Sequence, residues 1–258
     1  MNQVLSIAKD ELRYWRRSRL AIGILAVGFV LTVAAIVLTS VRMAEAAHER
    51  AHLQEEARET FLAQPDRHPH RMVHYGHYVF RAPTPLSAID PGVDAFTGTS
   101  IFLEGHRQNT AMFAERRQSA GLAAFGDLTP AFAVQVLAPL LIILVGFASV
   151  AREREARTLD LMTAQGVSML TIIKGKSLAL FAAAGLALGP LAIGATAAGD
   201  AIWITLFFIL GYAFYIAVWC AATVLASTVA KTPNVSLASM LGVWAIVVIL
   251  TPRIAASA

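Results

Sequence analysis

The chain has a single cysteine, Cys220, in 258 residues. A disulfide framework is therefore excluded as a source of its stability. Lysine is scarce too, with Lys9, Lys174, Lys176 and Lys231 as the full set. Charged residues make up 15% of the chain against 57% hydrophobic, which is too apolar for an ordinary water-soluble domain. No G-x-x-x-x-G-K-[ST] run occurs, so the chain holds no phosphate cradle of that kind. The net charge is only +4 and gives no reason to invoke nucleic acid.

The apolar residues fall into five charge-free runs, each long enough to cross a bilayer, which takes about 20 helical residues. They are 20–41, 131–150, 177–198, 201–229 and 233–250. Helices are the only plausible form for them, because lipid cannot satisfy open backbone groups. The first run suits a span better than the short apolar stretch of a signal peptide. Cys220 lies within the fourth run, as a small lipid-buried or helix-packing side chain. Pro139 and Pro190 are expected to kink the second and third spans.

Alternating spans put all four lysines on one side. Arg13, Arg16, Arg17, Arg19, Arg152, Arg154 and Arg157 join them there. The positive-inside rule makes that side cytoplasmic, with the N-terminus inside. Segment 42–128 is then extracytoplasmic and 151–176 cytoplasmic. Nine arginines in 42–128 are a weak objection, since long loops translocate largely regardless of charge. Residues 251–258 begin a further outer segment, and a sixth span is expected beyond them.

Residues 1–19 precede the first span. Val4, Leu5, Ala8, Leu12 and Trp15 have helical spacing, with basic residues on the other face. This predicts a helix lying in the membrane interface, with Tyr14 and Trp15 at headgroup depth. The stretch "REREARTLDLMTAQGVSMLTIIKGKS", residues 152–177, predicts a short amphipathic helix that stops at Gly166, a turn, and then the third span. A loop that merely joined two spans would not need the apolar face of Leu159, Leu161 and Met162.

Glu155, Thr158-Leu159, Leu161-Met162 and Gly166-Val167-Ser168 resemble the coupling-helix motif of ABC-2 type transporter permeases. Arg157 stands where the family usually has Gly, and Gly166 where it often has Pro. The resemblance implies an all-α polytopic permease with five visible transmembrane helices and a small α+β extracytoplasmic domain. It implies that ATP and Mg are bound by a separate cytoplasmic ABC ATPase dimer, and that a second permease subunit, identical or different, completes the transporter. Glu155, Thr158, Leu159, Leu161 and Met162 would contact the ATPase, while Val167 and Ser168 turn the chain back to the membrane. The implied setting is a bacterial inner membrane, with lipid as a further partner and a periplasmic protein as a candidate one. Residues 84–109 resemble a subgroup with a large outer domain between spans one and two, related to copper-enzyme-maturation permeases.

Within that outer segment, 42–64 is rich in helix formers and predicts that the first span continues as a solvated helix. "YVFR", 78–81, reads as a strand, and a helical pattern returns from Ser100 to Gln118. A segment of this size is marginal alone. All seven histidines lie in it, at 48, 52, 68, 70, 74, 77 and 106. Metal ligation by His68, His70, His74 and His77 is one reading. A helix would put His70, His74 and His77 on one face; a strand would oppose His74 to His77. The resemblance instead marks His74, Tyr75, Gly76 and His106 as a structural signature. In that role an imidazole satisfies buried backbone groups and Gly76 permits a tight turn.

Three function classes follow. The first is an export permease driven by a separate ATPase. The second is a mechanotransmitter that moves its outer domain without transporting substrate. The third is a metal-binding membrane protein or metalloenzyme using the outer histidines. Charge-free spans weigh against the last as an intramembrane enzyme. They also leave the substrate unreadable. Trp203 reads as an interface anchor.

Overall fold

The computed structural model describes residues 2–92, 98–107, 109, 128–252 and 254. Helix α1, Gln3–Arg17, is N-capped by Asn2 and ends at Ser18. Ser18 is extended, and its hydroxyl accepts from the Ala21 amide, so the same residue opens helix α2, Arg19–Leu62. That single helix has 44 residues, a rise of about 66 Å. A span uses under half of it, so the rest stands clear of the bilayer, as its composition predicts.

A helical turn α3, Pro69–Met72, tightens into a 3₁₀ turn over Val73–Tyr75. Strands β1, His77–Phe80, and β2, Ser100–Leu103, form an antiparallel pair with His77 opposite Leu103 and Phe80 opposite Ser100. The expected helix from Ser100 thus starts as strand. Ser-Ile-Phe-Leu is as good a strand as a helix by pattern, and pairing with β1 decides it. Most of the remainder of that expectation, to Gln118, lies outside the described residues. Gln54 on α2 holds the pair: its Oε1 accepts from the Phe80 amide at 3.2 Å, and its Nε2 reaches the Tyr78 carbonyl at 3.5 Å.

The second span is not one regular helix. It runs as a turn α4, Pro130–Phe132, a π-helical segment Ala133–Leu137, then α5, Ala138–Gly146. Pro139 lies in the first turn of α5, where its missing N–H and its ring are accommodated by the rewound turn before it. A non-helical break at 147–150 leads to the short helices α6, Ala151–Glu155, and α7, Thr158–Ala164. Helix α8, Met169–Ala197, continues through Pro190. It starts well before the expected Ser177, since Ser168 caps it through the Thr171 amide. Helices α9, Ile202–Val229, and α10, Pro233–Trp244, complete the bundle, with a π-helical segment Ala245–Leu250 following α10.

Among the described residues, five helices are long and apolar enough to cross a membrane. Their outward side chains are apolar and uncovered: Phe207, Phe214, Ile193 and Val229 are each more than two-thirds exposed. In water such a surface would be costly, and in lipid it is the expected one. The second span is the innermost, and its Val134, Ile142 and Ile143 are buried.

Candidate functional site

The near end of the bundle, where α1 lies, gathers the charges that the spans exclude. Helix α1 packs on α8 at Gly175, where a Cβ would meet the Ile7 side chain at 2.7 Å and the Val4 carbonyl at 2.9 Å. Its inward face is Ala8, Glu11 and Trp15, an i, i+3, i+7 stripe. Trp15 is only 4% exposed, so its ring packs against protein and not against the headgroups that its spacing alone predicts. Tyr14 points outward, with the Arg152 guanidinium 3.7 Å from its ring centre, a cation–π contact.

Glu11 sits on the buried stripe because two cations meet it there. Its Oε2 accepts from Arg152 Nη2 at 2.7 Å and from Lys176 Nζ at 2.7 Å. Lys176 also donates to Glu153 Oε1 at 2.8 Å. The side chains of Glu11 and Lys176 are 2% and 4% exposed. Two acids and two bases cancel, which is what allows so much charge to be buried. Burial by itself would raise the Glu153 pKa. The hydrogen bonds from Lys176 and Thr158, with the charges of Lys176 and Arg152, outweigh it and hold the carboxyl below its ordinary 4.5.

The cluster also holds α7. The Thr158 hydroxyl donates to Glu153 Oε2 and to the Glu153 carbonyl. Leu159 is buried in the core. Arg154 donates to the carbonyls of Ala230, at 2.5 Å, and Thr228. The Ser227 hydroxyl accepts from the Val150 and Ala151 amides at 3.0 and 3.1 Å. This loop is thus bolted to the N-terminal helix, the third span and the end of the fourth.

A sequence profile described as ABC-2 family transporter protein matches residues 5–258. The chain belongs to the ABC-2 transporter family. No curated protein matches it. As an ABC-2 family member it is a membrane component of a transporter.

The stretch that resembles the ABC-2 coupling motif is not one uniform surface. Glu155 and Leu161 are exposed, Leu161 by 62%. Thr158, Met162 and Val167 are half-buried, Leu159 is buried, and Ser168 is exposed as the α8 cap. Of the five expected contact residues, Leu159 faces the bundle and Thr158 the ion cluster, while Glu155 and Leu161 remain on open surface. Arg157 is left-handed, with φ 60°, at the position where the family pattern carries Gly. That backbone conformation suits a residue without Cβ. Gly166, at φ 81°, ends α7 as expected.

Sequence reasoning missed Glu11, Arg152, Glu153 and Lys176 as a unit. The available signal was a carboxylate on the inward stripe of α1, which demands a buried cation.

The far end carries a second polar group. The Tyr212 hydroxyl donates to Asp90 Oδ2 at 2.7 Å and accepts from Gln135 Nε2 at 2.7 Å. The π-helical turn at 133–137 leaves carbonyls to accept other bonds: Tyr215 donates to Gln135 O at 2.6 Å and Trp244 Nε1 to Val136 O at 3.0 Å. Trp219 is buried and Trp203 is 69% exposed.

Among the histidines, the structure brings together His70, His74 and His106. His68 is used as a cap, its Nδ1 accepting from the His70 amide at 3.2 Å. His77 lies edge-on to Phe61 at 5.3 Å. His74 and His106 are exposed, and neither imidazole bonds a backbone group among the described residues, contrary to the structural role expected of them. Gly76 does form the turn, at φ 36°.

Sequence reasoning also passed over the run His48-Glu49-Arg50-Ala51-His52, which has the H-E-x-x-H spacing of zinc proteases. All three acid and histidine side chains are exposed on the solvated half of α2, and among the described residues no third ligand joins them. The spacing alone assembles no catalytic zinc site.

Proposed function

We propose that the chain is the permease subunit of an ABC-2 exporter, driven by a separate cytoplasmic ATPase dimer and paired with a second permease subunit in a bacterial inner membrane. Its N-terminus and coupling loop lie on the cytoplasmic side. One observation carries the reading: α7 stands off the end of the second span with Leu161 and Glu155 exposed, yet is braced by a buried ion cluster against α1 and α8. A helix so mounted transmits a push from a docked protein to three spans, because its supports are rigid and its outer face is free.

The test is to purify the full chain with its genomic neighbours and assay ATP hydrolysis with and without Glu155→Arg plus Leu161→Asp. Both side chains are exposed, so the fold is expected to survive. Co-purification of an ATPase, with release or uncoupled turnover in the double variant, sustains the proposal. An unaltered complex, or no ATPase at all, rejects it.

A mechanotransmitter remains the second reading. It is favoured by α2, which continues unbroken from the first span to the β1–β2 pair, where Gln54 bonds the Tyr78 carbonyl and the Phe80 amide of β1. Spin labels on the solvated half of α2 that shift during ATP turnover, in vesicles exporting nothing, would select this reading.

A further inference from the structure

We propose that His70, His74 and His106 form a binding site for a divalent transition-metal ion of the imidazole-preferring class, with zinc as its simplest occupant. Their candidate ligand nitrogens all lie within 4.8 Å of one another. The ring centres are 5.4 Å apart for His70 and His74, 5.8 Å for His70 and His106, and 5.0 Å for His74 and His106. Zinc–nitrogen bonds of about 2.1 Å in a tetrahedron set the nitrogens roughly 3.4 Å apart. Rotation of three exposed side chains closes that gap without moving the backbone.

The backbone is arranged for this meeting. Pro69 opens a helical turn that tightens into the 3₁₀ turn, and across the two His70 and His74 bring their ring centres to 5.4 Å. The third histidine comes from far along the chain. The β1–β2 register delivers residues 104–107 beside that turn, and a bridge between Glu104 and Arg107 closes a tight loop with His106 within it. The Gly105 amide donates to the Val73 carbonyl at 3.0 Å. A Cβ at Gly105 would lie 1.7 Å from the Val73 side chain, so only glycine lets the two turns touch. Asn109 ties the loop to the Phe102 carbonyl at 3.0 Å and to Glu104 at 3.3 Å.

Among the described residues, no burial or backbone bond accounts for the three rings converging. Three neutral imidazoles do suit zinc, copper or nickel, and they leave a fourth position for water or a ligand. An ion there would also staple α3 to the hairpin in a segment with a small core.

The test uses the full chain in detergent, purified without a histidine tag. Zinc uptake is measured by equilibrium dialysis with elemental analysis, and Co²⁺ replaces it as a spectroscopic probe. One ion per chain is expected, with Co²⁺ bands of tetrahedral intensity. His74→Ala and His106→Ala are each expected to weaken zinc at least tenfold, and His52→Ala and His77→Ala less than twofold. Zinc is expected to raise the melting midpoint of the native chain and not of His106→Ala. His106→Gln serves as the folded comparator if the alanine variant melts early without metal. Absence of stoichiometric uptake, or equal loss in His77→Ala and His106→Ala, overturns the proposal.

Discussion

Lys176 shows at the level of one residue how charge is held at the membrane edge. It meets Glu11 and Glu153 from the first turns of a span helix. Lys176→Met leaves two acids short of a cation in a dry site and is expected to cost about 3–5 kcal/mol, read as an earlier thermal unfolding of the purified chain. A cost below about 1 kcal/mol would show the cluster to be wet. Glu153 adds a pH dependence. Its folded pKa lies below 4.5, so its contribution is full above that value and fades as pH falls through the lowered one. Thermal midpoints measured downward from pH 6 are expected to drop below pH 4.5, and to drop less in Glu153→Gln. Arg157 is strained in the left-handed region, so Arg157→Gly is expected to stabilise by roughly 0.5–1 kcal/mol and Arg157→Val to destabilise. Differential scanning fluorimetry on the pair would show both signs.

Among the elements, the break after the second span depends on a partner from the fourth. Val150 and Ala151 are fully buried, and their amides are satisfied by Ser227. Ser227→Ala removes the acceptor with little change of volume, which is expected to cost about 1–3 kcal/mol and to loosen α7, seen as faster amide exchange over 151–164. Unchanged exchange there would mean the break is held by other contacts. Helix α1 illustrates the limit of periodicity. Its apolar spacing indicated an amphipathic helix, but the partner of its inner face is protein at Gly175, which spacing alone cannot distinguish from a headgroup layer. Strand β2 was misread as helix because four residues carry too little pattern to outvote pairing.

On the scale of the molecule, two polar ties lie at opposite ends of one apolar bundle. The near tie joins α1, the α6–α7 segment and α8. The far tie joins Asp90, which lies between β1 and β2 in the chain, to Tyr212 of the fourth span and Gln135 of the second. Leu86 and Ile89 sit in the core beside it, so the inserted segment is seated on the spans. Tyr212→Phe removes the link to Asp90 and is expected to speed limited proteolysis within 66–92 severalfold while leaving the near end intact. Equal cleavage rates would show the apolar plug to suffice.

The spans, the long first helix, the short helix α7 and its stop at Gly166 were legible in the sequence. Each depends on local composition or period, which hydrophobicity and backbone sterics translate directly into helix, length and turn. The ion cluster, the burial of Leu159, the Gln135–Tyr212–Asp90 tie and the trio of His70, His74 and His106 were not. Their members lie up to 165 residues apart. Contacts at such range are selected by how whole helices pack and by which strand pairs with which, and no local pattern encodes that choice.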